Sequence, residues 1–150
     1  MSDRLEALRT ALAGVPAWLV GGAVRDELMG RVTGDYDVAV AGDPKAAARA
    51  VARATGATSF PLSEAFGAWR VVGGEGWHVD LVGLRNSDLE TDLEARDFTI
   101  NAMARPLEGG ELVDPTGGAD DLQAGRLRMT SSDALREDPL RALRAIRFAV

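Results

Sequence analysis

The tightest constraint on this chain is a change of hydrophobic period packed into residues 18–40. Trp18-Leu19-Val20 is a short apolar run that ends in Gly21-Gly22. Val24 to Met29 then reads as a short helix that Gly30 ends. Tyr36, Val38 and Val40 alternate with Asp35, Asp37 and Ala39, the period of a half-buried strand. The segment is therefore a strand–turn–helix–strand unit. Side chains at i and i+2 of a strand share a face, so burying the apolar set sends Asp35 and Asp37 out of the core together.

That unit carries chemistry. Glycines let backbone N–H groups approach a phosphate closely, and Arg25 follows Gly21-Gly22 within one helical turn. Two carboxylates on one face supply the oxygen ligands that Mg²⁺ prefers. Each signal has a bland counterpart. Gly-Gly is commonly only a turn, and Asp-x-Asp is commonly a solvated strand edge. Joined in one short unit, a phosphate cradle and a metal pair read as nucleotidyl transfer.

A length of 150 residues suits one domain with a hydrophobic core. There is no cysteine, which excludes a disulfide framework and a thiolate metal site. No apolar run approaches the length of a membrane span, and the first residues carry acids without a signal-like apolar core. A soluble, cytoplasmic protein with no membrane partner is expected. The net charge of −6 argues against a generic nucleic-acid surface. The charge is unevenly spread. Residues 1–121 hold 11 Lys+Arg and 20 Asp+Glu, whereas residues 122–150 hold 6 Arg and 3 acids. The basic end suits either a nucleotide or RNA backbone or, more blandly, a solvated helix face.

Elsewhere, Ser2 to Leu12 predicts an amphipathic helix with Leu5, Leu8 and Leu12 on one side, and Pro44 to Ala54 an alanine-rich helix with Pro in its first turn. Arg70 to Val72 and Trp77 to Val82 predict a hairpin across Gly73-Gly74-Glu75-Gly76. Asp97 to Ala104 reads as a short helical segment, Glu111 to Val113 as a short strand, and Ala134 to Val150 as helix. The mixture predicts an α/β (α+β) domain with a small mixed sheet flanked by helices.

Three further groups bear on function. In His78-Val79-Asp80-Leu81-Val82, Val79 and Leu81 face the core and Asp80 the other side. If this strand lies beside residues 35–40, Asp80 joins Asp35 and Asp37, the arrangement of a two-metal phosphoryl-transfer site. His78, without partners at ligand spacing, reads as a surface or hairpin residue. Arg96-Asp97-Phe98-Thr99-Ile100-Asn101-Ala102 reads as a helix start with Asp97 near the positive end of the dipole, or as a ribose and phosphate contact. Asp114 to Leu122 is a connector or a hinge. In Glu137-Asp138-Pro139-Leu140-Arg141, Asp138 suits an N-cap with Pro139 at the first helical position. The same carboxylate and guanidinium, Asp138 and Arg141, offer acceptors and a fork of donors to one base edge. Arg144 and Arg147 are placed to hold phosphates.

Taken in order, these motifs resemble the head and early neck of a class II tRNA nucleotidyltransferase, the family of CCA-adding enzymes and bacterial poly(A) polymerases. Leu19 to Asp26 with Asp35-x-Asp37 resembles its first motif, Arg96 to Ala102 its ribose-reading motif, Asp114 to Leu122 its hinge, and Glu137 to Arg141 its base-reading template. The resemblance implies a polymerase-β-like nucleotidyltransferase head over residues 1–122 and the start of a helical neck over 123–150. It implies that Asp35, Asp37 and Asp80 hold two Mg²⁺ ions, and that Gly21, Gly22 and Arg25 take the triphosphate. Arg96, Asp97 and Asn101 would belong to the ribose-reading group. Asp138 and Arg141 would select CTP or ATP for addition to the 3′ end of tRNA without a nucleic-acid template.

Three departures refine that expectation. Ala95 stands where the family has the first of two arginines. Only residues 86–95 separate Leu84-Arg85 from Arg96, which read as a short turn and an acidic helix, with no room for the flexible loop of full CCA-adding members. In this family absence of that loop marks enzymes that add CC and stop, so CC addition is expected, with CCA addition, poly(A) synthesis or a non-catalytic nucleotide-binding fragment as alternatives. Finally, Val150 falls inside an arginine-rich helix with no C-cap signal. A fragment, a truncated form or a split protein with weak tRNA binding is expected.

Overall fold

The computed structural model describes residues 3–31, 35–63, 65, 67–84 and 88–130. Helix α1 (Asp3–Ala11) leads into strand β1 (Ala17–Val20), helix α2 (Gly22–Leu28) and strand β2 (Tyr36–Val40). Helix α3 (Pro44–Thr55) is followed by β3 (Thr58–Ser63), β4 (Ala68–Val72) and β5 (His78–Gly83). Helix α4 (Leu89–Glu94), a 3₁₀ turn (Thr99–Asn101), β6 (Ala104–Pro106) and α5 (Gly118–Gln123) complete it.

The strands form one six-stranded sheet in the order β3-β4-β5-β2-β1-β6. Only β2 and β5 run parallel; the other neighbouring pairs are antiparallel. The mixed α+β architecture expected from the pattern is present. Parallel pairing needs a crossover, and α3 with the β3–β4 hairpin supplies it. Helix α3 starts where Asp43 accepts the Lys45 N–H at 3.0 Å with Pro44 at its first position. It ends at Gly56 with φ 71°, the left-handed stop that glycine adopts without strain.

The two sheet faces are covered differently. On one face Leu19, Val38, Val40, Val71, Val79 and Leu81 pack against Leu8 and Leu12 and against Ala47, Ala48 and Val51 of α3. Burial of a large aliphatic side chain stabilises by about 1.5–3 kcal/mol, so this face dominates the core. On the other face Val20 and Ala39 meet Leu93 of α4, Ala102 and Ala104. By the alternation of β2 and β5, Asp37 shares that second face with Ala39, and Asp80 with Val82.

The structure corrects several expectations. Asp97 to Ala104 is not one helical segment: a 3₁₀ turn covers only Thr99–Asn101, and Ala104 already belongs to β6. Ala104 pairs with Val20, which pulls the chain into the sheet edge. Glu111 to Val113 makes no strand, only a single bridge from Val113 to Ala104. Asp114 to Leu122 contains a helix, because both Asp114 oxygens accept N–H bonds, from Gly118 at 2.7 Å and Ala119 at 3.0 Å. The helix expected over 134–150 lies outside the described residues. No helix among the described residues is long and apolar enough to cross a membrane.

Candidate nucleotide site

The glycine turn comes first. Gly21 has φ 67°, a conformation other residues adopt only with strain, and it is the N-cap of α2. A Cβ built there would lie 3.6 Å from Arg96 Nη1 and 3.7 Å from Asp37 Oδ2. Gly21 is thus a side-chain-free floor between a guanidinium and a carboxylate contributed by distant parts of the chain. At Gly22 a Cβ would lie 3.3 Å from Arg25 Nη2, so glycine also lets Arg25 fold back over the turn.

Arg25 links the glycine turn to the 3₁₀ turn at residues 99–101. Its Nη1 donates to Asn101 Oδ1 at 2.8 Å, and its Nε lies 3.4 Å from Asp26 Oδ1. Asn101 is held by the 3₁₀ turn, its N–H donating to the Phe98 carbonyl at 3.0 Å. Arg96 Nη2 lies 3.5 Å from Asp92 Oδ2, and Asp92 is buried on α4. Asp97 is buried too, and its Oδ1 accepts the adjacent Phe98 N–H at 2.7 Å. Neither sequence expectation for Asp97 anticipated this local bond.

Two of the three acids stand on neighbouring strands. Asp37 on β2 is in register with Asp80 on β5, and Asp80 with Arg70 on β4. The strand adjacency assumed for Asp80 is therefore present. The Asp37 pKa is raised, first by the loss of hydrating water among the surrounding groups and then by the charge of Asp80. Arg96, His78 and Arg70 pull it back. Its outer edge remains exposed to solvent, so this penalty is modest. Asp35 precedes the strand and is exposed; its Oδ1 lies 3.2 Å from both the backbone N and Nδ1 of His78. His78, partly exposed at the start of β5 just past the hairpin turn, is thus a partner of Asp35.

Oxygen donors on a face where two carboxylates repel are what a hard divalent cation compensates. The fit is incomplete as the residues stand. Arg70 Nε and Nη2 donate to Asp80 Oδ1 at 2.7 Å and Oδ2 at 3.0 Å. No group of three His, Cys, Asp or Glu side chains among the described residues is arranged to hold an ion. Asp37 stands beside Asp80, whose oxygens Arg70 engages, and Asp35 Oδ1 faces His78.

A second network braces the 3₁₀ turn from behind. Asp121 of α5 is buried, and its Oδ2 accepts from Thr99 Oγ1 at 2.6 Å and Arg128 Nε at 2.9 Å. The Thr99 hydrogen bond, then Arg128, holds its pKa below the usual carboxylate value. Residues 128–130 run back along 97–99: Thr99 N–H donates to Arg128 O at 2.9 Å, and Thr130 N–H to Asp97 O at 3.0 Å. The sequence reading missed Arg70, Asp92 and Asp121. Arg70 had a usable signal, because a hairpin closing over residues 73–76 puts position 70 opposite 80. Asp138, Arg141, Arg144 and Arg147 lie outside the described residues.

Residues 17–128 match the family model described as the poly A polymerase head domain. The chain is 56% identical over 132 residues to an A-adding tRNA nucleotidyltransferase of Deinococcus radiodurans, covering 88% of this chain and 30% of the relative. It is 44% identical over 153 residues to a CC-adding tRNA nucleotidyltransferase of Geobacter sulfurreducens, covering 99% and 36%. The fold superposes on a CCA-adding enzyme in complex with CTP with a TM-score of 0.88 at 31% identity, covering 99% of this chain and 39% of that one. The chain thus spans about a third of the length of the curated relatives it matches.

Proposed function

The chain belongs to the poly A polymerase head-domain family, and from that premise we propose that it is the catalytic head of a tRNA nucleotidyltransferase. It would transfer nucleotides from CTP, or ATP, to the 3′ end of tRNA without a nucleic-acid template. The observation that carries this reading is the convergence over Gly21. Asp37 brings a carboxylate and Arg96 a guanidinium to a backbone position that bears no side chain, and Arg25 ties α2 to Asn101 beside it.

Each residue then has a task. Gly21 and Gly22 leave room for a triphosphate to approach the main chain, and the Arg25 fork pairs with its oxygens. Arg96 and Asp97, on the segment braced by residues 128–130, recognise the ribose. Asp35 and Asp37 hold Mg²⁺, with Asp80 beside them. Mg²⁺ held there would supply activation of the tRNA 3′-hydroxyl and stabilisation of the leaving pyrophosphate. Asp138 and Arg141 read the base edge, as the family resemblance implies, while Arg144 and Arg147 hold phosphates. The head is assigned to residues 1–122 and the start of the neck to 123–150. The acidic balance of residues 1–121 suits weak tRNA binding by the head itself, and a cytoplasmic location accords with a tRNA substrate.

For specificity we favour addition of CC. Strand β5 ends at Gly83 and α4 begins at Leu89, so the connection is short where longer family members carry the flexible loop. A second reading, addition of the terminal A, rests on the 56% identity to the A-adding relative. Product length on two substrates separates them, with Mg²⁺, CTP and ATP present together. Two cytidines on tRNA lacking CCA, with no extension of tRNA ending in CC, supports the first reading. One adenosine on tRNA ending in CC supports the second. No incorporation into either overturns the proposed activity.

A further inference from the structure

The cross-strand row ends in a residue that neither the motifs nor the proposed chemistry uses. Arg70 stands in register with Asp80, which stands in register with Asp37. Its guanidinium takes both Asp80 oxygens, at 2.7 and 3.0 Å. Planar, two-pronged pairing of this kind is the strong form of a carboxylate–arginine contact. Both groups are partly shielded, with side-chain exposures of 31% and 17%. The pair is therefore better protected from screening than a surface ion pair.

We propose that Arg70 is a positioning residue that withholds Asp80 from a divalent ion. Of the three acids, Asp35, which also faces His78, and Asp37 are then the ones left to the metal in the nucleotide-free protein. This rests on the reading of Asp35 and Asp37 as the metal pair. Arg70 has two effects that act in the same direction. It occupies the oxygens that a third ligand needs, and its positive charge offsets part of the field that draws a cation to Asp37. A bare site of this kind holds metal loosely, and a triphosphate brings the remaining oxygens. Metal loading is thereby tied to nucleotide arrival.

The test uses Mn²⁺ alone, titrated into nucleotide-free protein and followed by the electron paramagnetic resonance signal of free Mn²⁺. Arg70→Gln releases Asp80 and removes the competing charge, so Mn²⁺ is expected to bind about tenfold more tightly, the scale on which groups supporting a metal site act. Arg70→Lys keeps the charge but cannot grip both oxygens, so a smaller tightening is expected. It carries the test if Arg70→Gln does not fold by circular dichroism. Arg70→Gln combined with Asp80→Asn is expected to lose the gain. Unchanged or weaker Mn²⁺ binding in a folded Arg70 variant overturns the proposal. Asp35→Asn with Asp37→Asn is the separate control. If Mn²⁺ binding survives there, the metal-pair reading itself fails. If binding vanishes there while the Arg70 variants match wild type, only the role of Arg70 is lost.

Discussion

Gly118 gives the sharpest prediction, because its replacement tests how the 3₁₀ turn is held. A Cβ at Gly118 would fall 2.0 Å from the Thr99 carbonyl oxygen, 2.7 Å from the Thr99 carbonyl carbon and 3.2 Å from Met103 Cγ. The first two atoms are backbone, so no side-chain rotation relieves the clash. Helix α5 must move away from Thr99 by about 1 Å or more to reach an ordinary contact. The Thr99–Asp121 hydrogen bond at 2.6 Å spans the same gap, and a shift of that size stretches it past useful geometry. Overpacking costs typically about 1–3 kcal/mol, and loss of a hydrogen bond to a charged group adds to it. Gly118→Ala is thus expected to lose about 2–4 kcal/mol in urea unfolding, which for a chain of this size lowers the melting temperature by roughly 10 °C. Gly74→Ala is the control, since nothing lies within 4 Å of its Cβ. Equal stability of the two variants would refute the packing argument. A nucleotide affinity unchanged in Gly118→Ala would refute the link from α5 through Thr99 to Asn101 and Arg25.

Further outcomes follow from the same geometry. The Asp121 pKa is depressed, so its contribution is full above the usual carboxylate range and is lost as pH falls through the folded value. Asp121→Asn should therefore melt lower than wild type at pH 7, and the gap should close in acid. For Asp37 the sign is opposite. Its pKa is raised, so the ionised form costs stability that appears as pH climbs past the unfolded value. Without metal, Asp37→Asn should be as stable as wild type or more so at pH 7. This advantage should fade in acid, and nucleotide incorporation should be abolished at any pH. Leu81 is fully buried between the sheet and its covering helices. Leu81→Ala should cost about 2–5 kcal/mol in chemical denaturation.

Much of the site was legible because its residues sit on strongly patterned elements. The alternation of residues 36–40 put Asp37 opposite the core. The alternation of 78–82 did the same for Asp80, and a hairpin over 73–76 followed from its glycines. Elements with weak patterns were missed. Strand β3 is an edge with Phe60 and Leu62 exposed and Pro61 in its middle. That composition argues against a central strand and is tolerated only at an edge. Strand β6 is three residues long and ends in Pro106, so its pairing with β1 is decided by tertiary packing. Helix α5 hides behind Gly117-Gly118, where Asp114 caps the helix and the missing Cβ at 118 permits contact with Thr99. Arg96 over Gly21 and Asp121 under Thr99 join segments far apart in sequence, and one-dimensional periodicity carries no information about such contacts.

The central claim is that the turn at Gly21-Gly22, with Asp37, Arg25 and Arg96 around it, receives a nucleoside triphosphate. A crystal structure of the protein with CTP and Mg²⁺ tests it most directly. The account predicts the triphosphate over Gly21 and Gly22, hydrogen-bonded to Arg25, with metal on Asp35 and Asp37. A triphosphate elsewhere, such as in the groove of about 320 Å³ lined by Val15, Trp18 and Pro106, would contradict it.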